Sequence, residues 1–358
     1  MSGDATTLKS SPSTWDHPAS RIVFGVGALD RLAPELERLE ASRALILSTP
    51  GRASDAERIS ERLGPASAGV HAAAVMHVPV EIAREARRIA ADRGADSYVA
   101  IGGGSTIGLA KAIALESGRP IVAIPTTYAG SEMTSIYGVT EAGVKKTGRD
   151  LRVRPRVVIY DPALTVSLPP SIAGPSGMNA LAHCVEALYA PDTDPITSLM
   201  AAEGIRDLAR SLPTIVKASA DLDARADALF GACLAGTALN ATSMGLHHKL
   251  CHVLGGAFNL PHAETHAVIL PHVTDFNRDA APHAMRIIAE ALGASDAAAG
   301  LFDLVDRIDA PRALKDIGMP ADGLDRAARI ATESPYANPR AVDYESVRAL
   351  LQRAFDGG

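Results

Sequence analysis

The first 160 residues of the chain alternate short apolar runs with stretches of helical periodicity, and this alternation constrains the fold more than any other feature. Buried strands are predicted where the apolar runs lie, at residues 44–48, 73–75, 97–101, 120–124 and 157–160. Helical patterns lie between them, at residues 55–63, 80–93 and 107–116. Strands that alternate with helices favour a parallel sheet with helices on both faces. Residues 137–140 and the segment after them are expected to form a hairpin outside this pattern.

After Pro170 the pattern changes to alanine-rich segments of helical periodicity. Helices are predicted at residues 177–190, 196–211, 220–241 and 245–257, with several more towards the C-terminus. Strand signals nearly vanish there, which favours an all-helical second half. We therefore predict an α/β plus all-α fold, with an α/β domain over residues 1–162 and a helical domain over residues 163–358. The cleft between two domains is the default place for a ligand site.

Composition argues against several classes of protein. The net charge is only −6 and no cluster of Lys and Arg is present, so no nucleic-acid partner is expected. No apolar run is long enough to span a bilayer, and the polar first twenty residues lack the apolar core of a signal peptide. The three cysteines are too few for a disulfide framework. These features predict a cytoplasmic protein without a membrane partner.

A glycine-rich segment closes one predicted strand and opens the next helix. It reads Gly102-Gly103-Gly104-Ser105-Thr106. Glycine lets the backbone approach a ligand closely, and a helix N-terminus offers free N–H groups and a positive dipole end. This context predicts a phosphate site, although a tight strand-to-helix turn alone would need the same glycines. The spacing differs from the Gly-x-Gly-x-x-Gly dinucleotide fingerprint.

Histidine is concentrated in one short part of the chain. Five of the eleven histidines lie in residues 247–266. On the predicted helix His248 and His252 are four residues apart and share one face. His262 follows Gly, Asn and Pro residues, so a turn can bring it back towards that face.

A second pair with the same spacing, Asn179 and His183, lies upstream. Imidazoles that cluster in this way indicate metal ligation, proton transfer or anion binding, because imidazole serves all three purposes near neutral pH. A lone histidine is more often a structural group, but several at helical spacings favour a functional site.

Four of these segments resemble one family, the iron-containing or group III alcohol dehydrogenases. They are Gly102 to Ser105, Pro125 to Thr127, Asn179-x-x-x-His183, and His248-x-x-x-His252 with His262. Residues 24–27 resemble the family's opening strand and turn, and the likeness runs from about residue 20 to the C-terminus. The resemblance implies a dehydroquinate-synthase-like fold, in which the α/β domain binds a dinucleotide and the helical domain carries out catalysis.

Within the family, the chain is most similar to the maleylacetate reductases. The similar segments are residues 128–133, 144–150, 160–164, 179–189 and 245–252. The resemblance implies that NADH or NADPH reduces the carbon–carbon double bond of maleylacetate to give 3-oxoadipate, in the degradation of aromatic compounds. It also implies that substituted maleylacetates are substrates and that the chain forms a homodimer. Two alternatives stay open: a metal-dependent alcohol or polyol dehydrogenase of this family, and a nucleotide-binding protein without catalytic activity.

One position departs from the family's metal-dependent members. They have an aspartate where this chain has Asn179, and any bound ion would be held by His183, His248 and His262. An amide is uncharged and is a weaker ligand for a divalent cation than a carboxylate. We therefore expect that no metal is required, although zinc can bind three histidines and keep a fourth position open.

The resemblance also assigns roles to individual catalytic residues. Asn179, His183, His248 and His262 are expected to face the reacting enone. His252 and His247 are the candidate proton donors, and Lys249 is the candidate partner of the substrate carboxylates.

The cofactor would be bound mainly by residues of the α/β domain. Gly102 to Thr106 would hold the pyrophosphate, and Thr126, Thr127 and Ser131 would line the pocket of the nicotinamide. Lys146 or Lys145 would contact the ribose. After the strand at residues 44–48 comes Thr49, and no aspartate follows that would repel a 2′-phosphate, so both NADH and NADPH are expected.

Overall fold

The computed structural model describes residues 20–141 and 144–358, with the backbone alone at residues 144 and 145. The polar N-terminal segment discussed above lies outside the described residues, except for Ser20. The chain divides into two compact units. An α/β unit contains the described residues up to Leu168 together with Ala220–Leu229, and a helical unit contains Pro169–Ser219 and Phe230–Gly358.

A six-stranded parallel sheet forms the centre of the α/β unit. Its strands, in chain order, are β1 (Arg21–Phe24), β2 (Ala44–Leu47), β3 (Ser67–His71), β4 (Ser97–Gly102), β5 (Ile121–Pro125) and β8 (Val157–Tyr160). They lie in the spatial order β1-β8-β5-β4-β2-β3. The four central strands are buried along their whole length. Such strands are continuous apolar runs in the sequence, which is why they were predictable.

The remaining elements of this unit also follow the predicted order. Its helices are α1 (Leu32–Arg38), α2 (Ala53–Leu63), α3 (Val80–Asp92) and α4 (Gly104–Ser117). The predicted hairpin is confirmed as the antiparallel pair β6 (Ile136–Glu141) and β7 (Val144–Arg149). The α/β plus all-α fold class is confirmed as well.

One predicted strand is wrong. Residues 73–75 form no strand, and β3 instead occupies Ser67–His71 at the edge of the sheet. This segment includes serine and glycine, which are poor strand formers, so its pairing with β2 decides its structure. The apolar signal at residues 73–75 includes a buried residue, Ala74, whose backbone N–H donates to the carbonyl of Ser48 (3.0 Å).

The helical unit continues the chain without strands among its described residues. Its helices, including the part of α7 that belongs to it, are α5 (Pro170–Tyr189), α6 (Pro195–Lys217), α7 (Leu222–Ala241), α8 (Leu246–Phe258), α9 (His262–Asn277), α10 (Pro282–Leu292), α11 (Ala297–Arg307), α12 (Leu324–Thr332) and α13 (Tyr344–Asp356). Helix α5 begins earlier than predicted because Pro170 occupies its first position, where proline is favoured. The predicted turn before His262 is confirmed, since Asn259 ends α8 in the left-handed conformation (φ 54°).

Side chains from α8, α9, α12 and α13 form a large apolar cluster in this unit. Leu250, Leu254 and Val273 are among its buried members. The cluster fixes α8 against α9, and both helices carry histidines on other faces. Within the described residues no single helix is long and apolar enough to cross a membrane; α7 and α8 satisfy that criterion only as a pair bent by 98°.

Candidate active site

Helix α5 carries three polar side chains on one face. Asn179, His183 and Glu186 are separated by four and three residues, a spacing that aligns side chains along a helix. They are only 7%, 5% and 1% exposed, respectively. Polar groups buried this deeply need partners within the protein or a ligand. Asn179 and His183 were predicted as site residues, and Glu186 was not.

Helices α8 and α9 supply five further histidines: His247, His248, His252, His262 and His266. Together with His183 they are called the histidine cluster. The first two stand in the first turn of α8 and are buried, whereas His252 stands one turn later and is exposed. His262 begins α9 and is half-buried, and His266 is fully buried one turn further on.

The rings of the cluster contact one another across three helices. His183 and His248 stack, with ring centroids 5.0 Å apart and planes at 23°. His266 lies edge-on to both, at 6.4 and 5.2 Å. His252 lies 6.3 Å from His248, and His262 lies 4.5 Å from His266. The structure thus brings together the imidazoles that were expected to converge.

The two predicted proton donors have different surroundings. His247 is fully buried, and its Nε2 lies 2.8 Å from His266 Nδ1 and 3.6 Å from Cys251 Sγ. His252 is exposed on the same helix. A residue that exchanges protons with water needs such exposure, so the arrangement favours His252 over His247 as the donor.

Burial controls the charge of the inner rings. Loss of solvent lowers the pKa of His183, His247 and His266 well below the ordinary value of 6.5, and the neighbouring imidazoles lower it further. These three side chains are therefore neutral at neutral pH. A neutral imidazole offers one hydrogen-bond donor and one acceptor, so the inner cluster can bind a polar group without carrying charge itself.

Several buried polar atoms of this site have no hydrogen-bond partner among the described residues: Asn179 Oδ1, His183 Nδ1, His247 Nδ1, His248 Nε2 and His266 Nε2. Buried polar atoms are almost always paired in folded proteins. Their concentration in one cluster, on three different helices, indicates a place that accepts hydrogen bonds from, or donates them to, a bound molecule.

The donor set does not fit an iron ion. Asn179 and the histidines are neutral ligands, and the nearby carboxylate of Glu186 is already engaged by His248 and by backbone N–H groups. Within the described part of the chain, the group of three side chains whose ligand atoms lie within 4.8 Å of one another is His247, Cys251 and His266. This is a different set from the predicted ligands, so we derive no chemical step through a metal.

Glu186 binds both a histidine and a helix end. Its Oε2 lies 2.6 Å from His248 Nδ1 and accepts from the backbone N–H of Gly245 (3.1 Å). Its Oε1 accepts from the backbone N–H of His247 (2.9 Å). These N–H groups open α8, where free donors and the positive dipole end favour an anion. The spacing of Glu186 from Asn179 and His183 was the signal in the sequence that could have identified this residue.

The predicted glycine loop connects β4 to α4. Gly102 has φ +152°, and a Cβ atom there would overlap the side chain of Thr106. A Cβ atom on Gly103 would lie 2.8 Å from Thr127 Oγ1. The turn therefore needs both glycines for its own packing. Gly104 is exposed at the start of α4, where Gly103 makes no side-chain cap. The backbone N–H of Thr106 donates to the carbonyl of Gly103 (3.1 Å), so the N–H groups before it are the ones that can bind a ligand.

This loop lies at the switch point of the sheet. β2 and β4 are neighbours, with Leu47 opposite Ala100, but the chain continues from β2 to β3 on one side and from β4 to β5 on the other. In open parallel sheets, ligands bind at the carboxyl ends of the strands on either side of such a point. Thr49, which follows β2, is half-buried at that same end.

The loop after β5 contributes the other predicted cofactor residues. Thr126 is buried, and its backbone N–H donates to the carbonyl of Gly102 (3.1 Å), which joins the two loops. Thr127 and Ser131 are half-buried. The structure thus places the Thr127 hydroxyl beside Gly103 of the glycine loop.

A buried lysine supports this second loop from within the α/β unit. Lys111 Nζ donates to the carbonyls of Ser131 (2.6 Å) and Ile136 (2.8 Å) and to Thr134 Oγ1 (2.8 Å). Burial lowers the pKa of Lys111 to about 7 and raises that of Glu132 to about 7. These residues hold the loop in one conformation.

The predicted lysines occupy different environments. Lys146 is exposed on β7 and forms an ion pair with Glu141 (2.8 Å). The side chain of Lys145 lies outside the described residues. Lys249 is half-buried on α8, with its Nζ 5.9 Å from the centre of the Tyr336 ring. Only Lys249 therefore stands on an element that carries the histidine cluster.

Two family descriptions match the chain and together cover most of it. "Iron-containing alcohol dehydrogenase" matches residues 19–162. "Fe-containing alcohol dehydrogenase family, C-terminal" matches residues 174–355. The second match includes α8, α9 and nearly all of α5, the helices that carry the histidine cluster.

Among individual proteins, the chain is similar to several maleylacetate reductases. It is 57% identical to that of Burkholderia cepacia over 337 residues, which are 94% of this chain and 96% of the relative. It is 52% identical to that of Pseudomonas sp. (strain P51), with the same coverage of both chains. These relatives match over nearly their whole length, so the likeness covers both the glycine loop and the histidine cluster.

Comparison with solved structures gives the same family as comparison with sequences. The maleylacetate reductase from Rhizobium sp. strain MTP-10005 superposes with a TM-score of 0.93 at 49% identity, covering 97% of this chain and 99% of that one. A putative alcohol dehydrogenase from Ralstonia eutropha JMP134 superposes with a TM-score of 0.95 at 58% identity and the same coverage. The family predicted from the motifs is confirmed. The chain is an oxidoreductase of the iron-containing alcohol dehydrogenase family, in the branch of the maleylacetate reductases.

Proposed function

We propose that the chain reduces the carbon–carbon double bond of maleylacetate and of substituted maleylacetates to the corresponding 3-oxoadipates, using NADH or NADPH. The observation that carries this proposal is the histidine cluster of α5, α8 and α9, with the neutral inner rings of His183, His247 and His266 and with its buried, unpartnered polar atoms. The names and the high identity of the relatives support the choice of substrate.

Maleylacetate has a double bond conjugated to a ketone, with a carboxylate at each end. When bound, NAD(P)H supplies a hydride, which adds to the carbon β to the ketone. Negative charge then develops on the ketone oxygen as an enolate, and a proton adds to the α carbon. Such a conjugated ketone is already electrophilic, so hydrogen-bond donors held in place can stabilise the developing charge.

The residues of the cluster would divide these tasks. The NH2 group of the Asn179 amide and the neutral ring of His183 donate to the enolate oxygen, since both side chains are buried. His252 is exposed and relays the proton from water to the α carbon. Lys249 attracts one substrate carboxylate. An aspartate in place of Asn179 would face the substrate dianion with a like charge, which the amide avoids.

The cofactor would bind to the α/β unit. The backbone N–H groups at the start of α4 hold the pyrophosphate, and Thr127 and Ser131 contact the nicotinamide half. Thr49 lies near the adenosine ribose, and Lys146 contacts a ribose hydroxyl. The segment after β2 has no aspartate that would repel a 2′-phosphate, which supports use of both cofactors. We propose accordingly that residues 1–162 form the cofactor domain and residues 163–358 the catalytic domain.

We also propose that no metal ion is required, because the donor set is neutral and lacks a free carboxylate. Dialysis against a chelator, followed by metal analysis, tests this point. We expect turnover to remain with far less than one metal ion per chain. Loss of turnover that iron or zinc restores would instead support a metal-dependent alcohol dehydrogenase.

A homodimer in the cytoplasm is the proposed working state. The three cysteines are free and buried, which suits a reducing compartment. Two apolar side chains of α6, Ile196 and Leu199, are 48% and 74% exposed and are suited to contact a second copy. Light scattering after size-exclusion chromatography should give twice the mass of one chain, and Leu199→Glu should lower it.

The direct test of the function is an assay of the purified protein with maleylacetate and either cofactor. Loss of absorbance at the nicotinamide band should depend on maleylacetate, and mass spectrometry should identify 3-oxoadipate in equal amount. Oxidation of a panel of alcohols with NAD⁺ is the control. Cofactor binding without turnover of any substrate would favour a non-catalytic protein.

A further inference from the structure

Glu186 makes a set of contacts that the proposed reaction does not yet use. Its side chain is completely buried on α5. It accepts from Gly245 and His247 through their backbone N–H groups and lies 2.6 Å from His248 Nδ1. A third backbone N–H, that of His248 itself, lies at 3.4 Å. One carboxylate therefore holds both the first turn of α8 and the ring that stands on it.

The contact with His248 determines which ring nitrogen carries the proton. A carboxylate accepts hydrogen bonds and does not donate them, so His248 Nδ1 must be the protonated nitrogen. In the neutral ring, Nε2 then has a lone pair. His248 Nε2 is buried and unpartnered among the described residues, while the ring stacks on His183. The lone pair is therefore available to a group bound in the cluster.

We propose that Glu186 is a positioning residue, which fixes the tautomer and the orientation of His248 so that its buried Nε2 is held as a hydrogen-bond acceptor within the histidine cluster. This inference rests on the proposed function only for its kinetic consequence. Its structural part, the protonation of Nδ1, stands independently. Carboxylates that orient a functional histidine in this way commonly contribute about 10- to 100-fold to the activity of a site.

Glu186→Gln is the informative substitution because it keeps the shape of the side chain. The NH2 group of the glutamine must face either His248 Nδ1 or the backbone N–H of His247. Both of these groups donate to the carboxylate in the native protein. The first orientation reverses the tautomer of His248. The second places two donors against each other in the first turn of α8. The first orientation removes the hold on the tautomer, and the second keeps the tautomer but disturbs the turn on which the His248 ring stands.

The matched control is Asp194→Asn. Asp194 is also a buried carboxylate of the helical unit, and it caps α6 by accepting from the N–H groups of Ile196 (2.8 Å) and Thr197 (3.0 Å). It also accepts from Thr197 Oγ1 (2.6 Å). Helix α6 carries no member of the histidine cluster, so a variant of Asp194 weakens a helix cap outside α5, α8 and α9.

The experiment is a double-mutant cycle on maleylacetate reduction. We expect Glu186→Gln to lower kcat about 10- to 100-fold with the KM for NADH unchanged, and Asp194→Asn to leave kcat within a factor of two. In the His248→Ala background, Glu186→Gln should add little further loss. An equal loss in both backgrounds would show that Glu186 does not act through His248 and would overturn the proposal.

Nitrogen-15 NMR of histidine in the wild-type protein provides a measurement that needs no folded Glu186 variant. The His248 signal, assigned by its disappearance in His248→Ala, should have the shifts of a ring protonated at Nδ1 only. A ring protonated at Nε2, with or without a proton on Nδ1, would overturn the proposal. If the wild type shows the Nδ1-protonated tautomer but does not turn over maleylacetate, the proposed function fails while the positioning role of Glu186 survives.

Discussion

The glycine loop of the α/β unit and the histidine cluster of the helical unit are built in opposite ways. The loop is one continuous segment at residues 102–106, and it offers backbone N–H groups at the start of α4. The cluster takes its side chains from α5, α8 and α9, and its properties come from burial. A loop that offers backbone N–H groups can therefore be encoded locally, whereas a cluster of neutral imidazoles requires the packing of the whole unit.

The largest expected difference between the two regions is their response to acid. Above pH 6.5 the three inner histidines are neutral in both the folded and the unfolded chain. Below it the unfolded chain takes up protons that the folded chain does not, because burial lowers the pKa of His183, His247 and His266. Each time the pH is lowered by one unit below 6.5, the three histidines together should then lower the free energy of unfolding by up to about 4 kcal/mol.

The α/β unit contains fewer such groups among its described residues: burial lowers the pKa of His71, but another buried side chain responds to acid in the opposite sense. Burial raises the pKa of Glu132 from 4.5 to about 7, so the folded chain holds a proton that the unfolded chain releases. This opposes the loss by about 1.4 kcal/mol per pH unit. Hydrogen exchange at pH 7.5 and 5.5 should therefore show early loss of protection in α5 and α8, with β4 and β5 protected. Equal exchange of both units would contradict the burial argument. The control is His283→Gln, which removes an exposed histidine and should leave the pH dependence unchanged.

The loop was the more predictable of the two regions. Continuous apolar runs identified β4 and β5, and the glycines between β4 and α4 identified the turn, because these signals are local in the sequence. The spacing of Asn179 and His183 likewise identified a face of α5. Every such success depends on residues within about two helical turns of one another.

The contacts within the cluster could not be predicted in the same way. His247 and His252 are both histidines of α8, yet one is fully buried and the other exposed, and this depends on where α9 packs. Glu186 contacts residues some sixty positions away, so its partners follow only from the packing of α5 against other helices. β3 was misplaced for a similar reason, since its pairing with β2 outweighs its own weak preference for strand.

The second prediction concerns the chemistry of the cluster. His248→Ala removes the ring between His183 and Glu186, and we expect kcat for maleylacetate to fall about 100- to 1,000-fold. The matched control is His272→Ala, which removes a buried histidine of α9 that packs edge-on against Phe302, with centroids 5.1 Å apart. Both variants should lose thermal stability, but only the first should lose turnover. Near-normal kcat for His248→Ala would remove it from the catalytic residues.

The third prediction concerns the loop and should be smaller. In Gly103→Ala the new Cβ atom would lie 2.8 Å from Thr127 Oγ1, so the second loop must shift. We expect the dissociation constant for NADH to rise about tenfold, which corresponds to about 1.4 kcal/mol, with kcat at saturation little changed. Gly256→Ala on α8, where a Cβ atom meets nothing within 4 Å, is the control. Unchanged binding by Gly103→Ala would mean that the glycine serves only the turn.

An effect of similar, small size is expected where the cluster departs from the metal-dependent members of the family. Asn179→Asp adds one carboxylate beside His183 without changing the size of the side chain, so the site gains a charged oxygen ligand. Affinity for zinc, measured by calorimetry, should rise about tenfold, or about 1.4 kcal/mol, and KM for maleylacetate should rise a few-fold because the added charge repels a dianion. If zinc affinity is unchanged, position 179 does not face the space that an ion would occupy. The cluster would then differ from a metal site in geometry as well as in charge, and Asn179 could not be the reason for the proposed independence of a metal ion.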